Sequence, residues 1–573
     1  MHWEEEAVCE ETADHLSRAL SISPILARFL VSRGLSQAED AKTFLSPKLA
    51  DLADPFDLPA MREAVDRLVR ALKEKEKILI VGDYDVDGIT STVILRRTLT
   101  LLGNEPAHVT PRRKDEGYGL TQAVLERGLT LISPGLVIAL DCGTNSKEER
   151  DLLAEREIDL LVVDHHQAKT ELPEDTILLN PHLHEDCGEP WRHLCTAGLT
   201  FKLAHGLLKR LREEENAAAQ AIRPKDFLSL AALGTLADLV SLRGENRILA
   251  RYGLKHLAHE PGPGLQALLQ VAGVKPEIPL AGEDVTFRVA PRINACGRLD
   301  QADVATELLL ANDPDRCRTL AEAMDGFNVK RRGIEAELTQ EAEVLAKERF
   351  GDKLAVVASG SGEHWNPGVV GIVAGKLASE LDKPCIVLAR ENGECKGSGR
   401  SAGGVNMVEA LSRCKDLLNH WGGHPAAVGL SLPAENLEAF EQAFAQVVAD
   451  LTGGQIPSPS LSIEATLAIE DLRSELLLEL ADLAPFGQDN PEPLLALRNV
   501  RLARPPRPVG AGQEHFQFAV HNGEELIYGI AWNMGDDVPP TSYELDLAFR
   551  FRWNHWNGRK LPQMVLRDWR RSS

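Results

Sequence analysis

No stretch of the chain strings together the roughly 18 apolar residues that a membrane-spanning helix needs, and the first residues are rich in glutamate. The expectation is a soluble, cytoplasmic protein without a signal peptide. Cysteine is sparse: nine residues, an odd number, spread singly with no C-x-x-C pair. That pattern excludes both a disulfide framework and a cysteine zinc cluster, and predicts reduced, mostly buried thiols. Basic charge is in deficit, with a net charge of -23. Broad electrostatic capture of duplex DNA, which needs a basic face to release counterions, is therefore disfavoured. A channel with local positive charge is not, and acidic side chains also build divalent-metal sites. No P-loop, G-x-G-x-x-G fingerprint or H-E-x-x-H pair offers a competing chemistry.

What the chain does contain is length and periodicity. At 573 residues it exceeds what one hydrophobic core supports, so three or four domains are expected. Between residues 60 and 240 three continuous apolar runs, Ile78 to Val81, Leu136 to Leu140 and Leu160 to Val163, each end on an aspartate, namely Asp83, Asp141 and Asp164. Continuous rather than alternating runs predict strands buried on both faces of a parallel sheet. Ligands of such sheets bind at the carboxyl ends of the strands, so the three acids are expected on one rim.

Asp313-Pro314 opens a helical segment running to about Phe350 and closed by Gly351. Gly326 and Gly333 are expected to bend it, making about 50 Å an upper bound on its length. Residues 352–450 read as a second α/β unit. Gly453-Gly454 through Pro457-Ser458-Pro459-Ser460 reads as a linker, and a β-rich tail follows. In the tail Ile463-Leu467-Ile469, Phe516-Phe518-Val520, Leu526-Tyr528-Ile530 and Leu545-Leu547-Phe549-Phe551 alternate with period two, at a size suited to a small barrel.

Asp83-Tyr84-Asp85-Val86-Asp87-Gly88 places three carboxylates at alternate positions beyond a buried strand. An EF-hand loop would need a bidentate glutamate where Ile94 stands, so that reading fails. Capping of a helix starting near Thr90 and Ser91 would explain one aspartate but not three. Asp164-His165-His166 adds imidazoles at the same edge, able to ligate a metal or donate to a phosphate. Asp238 ends the apolar segment Leu233-Gly234-Thr235-Leu236-Ala237, where an unpaired carboxylate is costly and calls for a cation. Oxygen-rich ligation with one or two imidazoles suits Mn²⁺ or Mg²⁺ better than structural zinc. Two ions would serve an in-line displacement at phosphorus.

The motifs DYDVDG, DCG, DHH and LGTLAD, in that order, resemble the DHH phosphoesterase family. The runs Gly397 to Ser401 and Gly422 to Gly429 resemble its DHHA1 domain. The runs Pro291 to Arg298, Asn328 to Arg332 and Pro485 to Pro491 resemble the single-strand-specific exonuclease branch of the family. The resemblance implies a multidomain α/β protein. Its parts would be an N-terminal segment (1–50), a parallel-sheet DHH domain (51–313), a long connecting helix (314–350), a DHHA1 domain (351–452) and a C-terminal OB-like β-barrel (453–573).

It further implies one ion held by Asp83, Asp85 and Asp141 and a second by Asp87, Asp141, His165 and Asp238, with Asp141 bridging. His166 would contact the scissile phosphate, Asp164 would orient its neighbours, and His424 would point at the phosphate or leaving oxygen. Gly422 and Gly423 would let backbone approach the substrate. Arg113, Arg292, Arg298, Ser398 and Arg400 would recognise the terminal phosphate and the DNA backbone, an ordinary surface role being the alternative for each arginine. One departure is Asn366, where many of the resembled sequences carry histidine after the tryptophan.

The implied activity is metal-dependent hydrolysis of single-stranded DNA from the 5′ end in repair and recombination. The implied partners are single-stranded DNA, a single-strand-binding protein and a RecQ-type helicase, with no membrane. The alternatives are a nanoRNA or nucleotide phosphoesterase and a non-catalytic repair scaffold. In the tail, Arg550, Arg552, Trp556, Arg559, Lys560 and Arg567 could track a nucleic acid, while Phe549 and Phe551 read equally well as barrel core.

Overall fold

The computed structural model describes residues 2–113, 115–168, 176–183, 191–457, 460–556 and 558–572. Its first sheet has five parallel strands in the order Ala107–Val109, Ile78–Gly82, Leu136–Leu140, Asp159–Val163, Ile177–Leu179. The three apolar runs form the central strands, and all but Asp159 of their residues are buried because helices cover both faces. The register sets their ends level. Asp83 N–H donates to Leu140 O, Asp141 N–H to Val163 O and Asp164 N–H to Leu179 O, so the three aspartates start three adjacent loops on one rung.

Pro314–Phe350 is one unbroken 37-residue helix, about 55 Å at 1.5 Å per residue, whose Asp313 side chain accepts from Arg316 N–H. Gly326 and Gly333 do not interrupt it. Cys317, Leu320, Ala321 and Met324 enter the core of the first domain. Leu338, Ala342, Ala346 and Phe350 enter the core of the next. That next unit is a mixed sheet in the order His420–His424, Ala427–Pro433, Glu394–Arg400, Cys385–Glu391, Val356–Gly360, with helix Val370–Leu381 beside it.

The tail forms a seven-stranded sheet around a third core. Phe516, Phe518, Leu545, Leu547, Phe549 and Phe551 point into that core, so the aromatic face of the last strands is packing. Two expectations need correction. In strand Leu526–Ala531 it is Ile527 that fills the core, while Tyr528 is 45% exposed. Ile469 lies in a 3-10 turn, outside the strands. Ser458 and Pro459 of the linker lie outside the described residues.

The N-terminal fifty residues do not stand alone. Strand His2–Glu5 pairs in parallel with Ser460–Ile463, and Leu16, Leu26, Phe29 and Leu30 share the core of the C-terminal unit. Buried Arg247 joins three regions: its guanidinium lies 3.6 Å over the Phe44 ring and donates to the carbonyls of Phe44, Asp482, Leu483 and Ala484. Of the described cysteines Cys9 is exposed and seven are buried, all unpaired, while Cys187 lies outside the described residues. Among the described residues no helix is long and apolar enough to cross a membrane.

Candidate active site

Helix Val86–Leu101 begins earlier than its Thr90-Ser91 signal suggested, because Asp85 is its N-cap and accepts from Gly88 N–H at 3.0 Å. Asp87, in the first turn, accepts from the backbone N–H groups of Thr196 and Ala197, both at 2.8 Å, and so caps a second helix, Thr196–Glu213. Gly234 permits this approach, since a Cβ there would lie 2.6 Å from Asp87 Oδ1. Asp238 is the C-cap of helix Leu228–Ala237, at the negative end of a helix dipole, where a carboxylate is disfavoured unless a cation answers it.

Asp83 differs from all of these. Both its carboxylate oxygens are buried and neither has a hydrogen-bond partner among the described residues. A deserted buried carboxylate costs several kcal/mol, so a cation is the group it fits. Around it, one ligand atom each from Asp83, Asp85 and Asp141 lies within 4.8 Å of the others, and so do single atoms of Asp87, His165 and Asp238. Asp141 stands between the two sets: His165 Nε2 is 3.4 Å from Asp141 Oδ1, 3.5 Å from Asp238 and 3.9 Å from Asp87. Asp141 is held at φ +63° with its Oδ1 accepting from Thr196 Oγ1 at 3.0 Å. A left-handed conformation of this kind is least costly for Gly, Asn and Asp.

Electrostatics agree with the geometry. Burial first, then the neighbouring aspartates, raise Asp83, Asp87 and Asp141 and push Asp238 up to about 9. Negative charge packed this densely fits two divalent ions, and the oxygen-rich donor set matches the preference of Mg²⁺ or Mn²⁺.

Asp164 behaves oppositely. Burial would raise it, but bonds from His166 Nδ1 at 2.7 Å and from the backbone N–H groups of Thr144, His165 and His166 hold it well below the usual range. His166 is the reciprocal case: burial lowers it, yet Asp164 brings it up to about 9. Its Nε2 faces the Tyr118 hydroxyl at 3.1 Å.

Beside the metal set lies a second constellation. Arg298 is lowered to about 10, first by burial and then by Arg113, Arg331 and Arg400, and among the described residues no carboxylate pairs with Arg113, Arg298 or Arg400. Arg113 lies 5.5 Å over the Tyr84 ring, one residue from Asp83. Arg298 donates to Gly368 O at 2.5 Å, just before helix Val370–Leu381. Arg400 and Ser398 flank the start of that helix, 3.3 and 3.2 Å from where a Cβ on Gly371 would be. His424, Ala427 and Arg400 form one rung of the second sheet, so His424 and Arg400 share a face with Ser398.

Arg292 is not brought to this cluster. Its nitrogens are committed to Asp325, Arg288 O and Val271 O, which makes it a brace between helices. Gly423 has its reason within the fold, because at φ +142° a Cβ would stand 2.3 Å from Ala427 O. Asn366 accepts from Gly368 N–H at 2.7 Å and shapes the turn before the helix. Arg331, Tyr118 and Thr196 went unassigned from sequence. Arg331 stood inside the run Asn328 to Arg332, whereas Thr196 reaches Asp141 only through the fold.

A parallel sheet with an acidic rim, joined by a helix to an arginine-bearing second sheet, defines a metal-dependent phosphoesterase of the DHH class. Family models match accordingly: the DHH family N-terminal domain over residues 77–235, the DHHA1 domain over 351–450 and the RecJ OB domain over 463–568. The chain belongs to the RecJ family. It is 36% identical to the single-stranded-DNA-specific exonuclease RecJ of Bacillus subtilis (strain 168), over 99% of this chain and 70% of that protein. Its identity with the RecJ of Escherichia coli (strain K12) is 32%, over 97% of both. The crystal structure of RecJ from Thermus thermophilus in complex with Mn²⁺ matches with a TM-score of 0.84 at 29% identity, covering 100% of this chain and 80% of that one.

Proposed function

We propose that the chain is an exonuclease that hydrolyses single-stranded DNA from the 5′ end, acting in the cytoplasm in repair and recombination. The observation that carries this is the buried Asp83 carboxylate, unpaired among the described residues, amid four further aspartates and beside Arg113, Arg298 and Arg400, with which no carboxylate of the described residues pairs. Asp83, Asp85 and Asp141 would hold one divalent ion, and Asp87, Asp141, His165 and Asp238 the other. Such a pair supplies an activated water and neutralises charge at the phosphoryl group.

The protein's own groups do the rest. Asp164 fixes the His166 ring through Nδ1, leaving Nε2–H to donate to an oxygen of the scissile phosphate in place of Tyr118. His424, on the second sheet, would act on the leaving side. Whereas Arg331 is paired with Glu335, Arg113, Arg298, Arg400 and Ser398 would bind a terminal 5′-phosphate. Their position on both sides of the cleft gives the enzyme its end preference, since a charge-assisted contact contributes about 1.5 to 3 kcal/mol.

End-labelled single- and double-stranded DNA, with Mn²⁺, Mg²⁺ or chelator, tests the reading. Wild type is expected to release mononucleotides from the 5′ end of single strands only, and to prefer 5′-phosphorylated ends roughly tenfold or more. Asp141→Asn, which keeps the left-handed backbone, should abolish this with an unchanged circular dichroism spectrum. Release from the 3′ end, or activity of Asp141→Asn within a few-fold of wild type, would refute it.

A further inference from the structure

Between strand Ala107–Val109 and helix Gln122–Leu131 runs a loop whose described residues lie outside helix and strand, yet it carries side chains to the acidic rim. Arg113 sits over the Tyr84 ring, and the Tyr118 ring meets Tyr84 edge-on with centroids 6.1 Å apart. The Tyr118 hydroxyl reaches His166 Nε2 and, at 3.4 Å, Asp141 O. Gly117 and Gly119 flank it at φ +87° and +73°. Glycine leaves such a backbone many competing conformations, so something else has to hold the loop.

What holds it lies behind it. Glu116 accepts from Arg127 Nε at 2.6 Å and Nη2 at 2.8 Å, and from the backbone N–H of Arg112 at 2.8 Å. Arg127 Nη2 donates also to Thr110 O at 2.7 Å, and Thr121 Oγ1 to Glu116 O at 3.1 Å. One bidentate pair thus ties the residue before Arg113 and the residue two before Tyr118 to helix Gln122–Leu131. That helix packs on the first sheet through Val124 and Leu125. The Glu116 side chain is only 10% exposed, and the bonds from Arg127 hold its carboxyl below the usual range. A bidentate bond between ionised groups fixes an angle where a single bond would not. Arg552 differs: it joins Glu492 to Glu283 across the domain boundary, an anchor rather than the phosphate contact expected from sequence.

We propose that the Glu116–Arg127 pair determines end specificity by positioning, holding Arg113 over Tyr84 in the pose that receives a terminal 5′-phosphate. This rests on the 5′-end reading and adds to it the pair that forms the contact in advance. The bonds of the Arg127 guanidinium among the described residues go to Glu116 and Thr110, so it acts on the rim through the loop. A loop ordered beforehand spares the cost of ordering it on binding. The effect belongs to end recognition and not to turnover, because Tyr118, the loop's other rim contact, gives up His166 when substrate enters.

The test compares 5′-phosphorylated with 5′-hydroxyl single strands, cut by the full chain with Mn²⁺. Arg127→Met should reduce the preference for the phosphorylated end about three- to tenfold, through KM, with kcat within about twofold of wild type. Arg127→Lys, which keeps the charge but not the planar fork, should lose part of that preference and serves if Arg127→Met does not fold. Added to Arg113→Ala, Arg127→Met should leave the remaining preference unchanged, since residues that act through one another are not additive. An unchanged preference in both Arg127 variants, or equal losses on the two ends, would mark a structural brace and overturn the inference. Losses that multiply when Arg113 and Arg127 are replaced together would overturn it too. A wild type that cuts both 5′ ends equally would overturn the 5′-phosphate reading and this inference with it.

Discussion

At the scale of single residues, the aspartates of the acidic rim look alike in sequence but serve the fold unequally. Asp87 receives two backbone N–H groups at the start of another helix, whereas Asp83 receives none through its side chain. Asp87→Ala should therefore destabilise the ion-free protein by about 1 to 2 kcal/mol, the usual loss of a cap. Asp83→Ala, which removes an unpartnered buried acid, should unfold in chelator at no lower denaturant concentration than wild type. Both variants should lose the extra stability that Mn²⁺ confers, since each lacks a ligand. Denaturation with and without the ion measures this, and equal destabilisation of the two in chelator would show that Asp83 has a structural partner after all. The spacing of DYDVDG carries no hint of this division, because Thr196 and Ala197 lie more than a hundred residues away.

At the scale of elements, the long helix is the piece both α/β units share. Its two glycines sit mid-helix with open space where a Cβ would go. Glycine costs a helix interior roughly 0.5 to 1 kcal/mol relative to alanine. Gly326→Ala with Gly333→Ala should thus raise stability by about 1 to 2 kcal/mol by denaturant titration. The same helix carries Arg331 close enough to Arg298 to depress it, so a stiffer connector should also show in turnover if the two units move relative to each other. No gain in stability would mean that the helix is strained at these points. Its start and end were legible in Asp313-Pro314 and Gly351, since caps are local chemistry. Its continuity was not, because two glycines permit a break without requiring one.

At the scale of the whole molecule, the first fifty residues and the last hundred form one unit, and Arg247 fastens it to the first domain. Four carbonyls from two separate segments depend on that single guanidinium. Arg247→Met keeps much of the side chain's volume but leaves the carbonyls buried without donors, at a cost of at least about 3 kcal/mol. Calorimetry should then show the terminal unit melting separately from the catalytic domain. One unchanged cooperative transition would mean that the junction holds without it. The shared terminal core also bears on truncation. A chain ending near residue 454 would leave Leu16, Leu26, Phe29 and Leu30 uncovered, so the N-terminal helices belong with the tail in any dissection.

The strands of the first sheet, the level of their acidic ends, the long helix and the β-rich tail follow from the sequence alone. Apolar runs, caps and alternation are short-range consequences of burial, which a linear pattern records. The same pattern could not tell which face of the Tyr528 strand turns inward. Single alternations are ambiguous, and packing against the neighbouring strand decides. Nor could it sort the arginines. Arg113, Arg298 and Arg400 gather without counter-ions among the described residues, while Arg292, Arg247 and Arg552 brace helices and domains, although all six have the same chemistry. What separates them is whether a carbonyl or carboxylate distant in the chain comes within hydrogen-bond reach, and only the tertiary structure decides that.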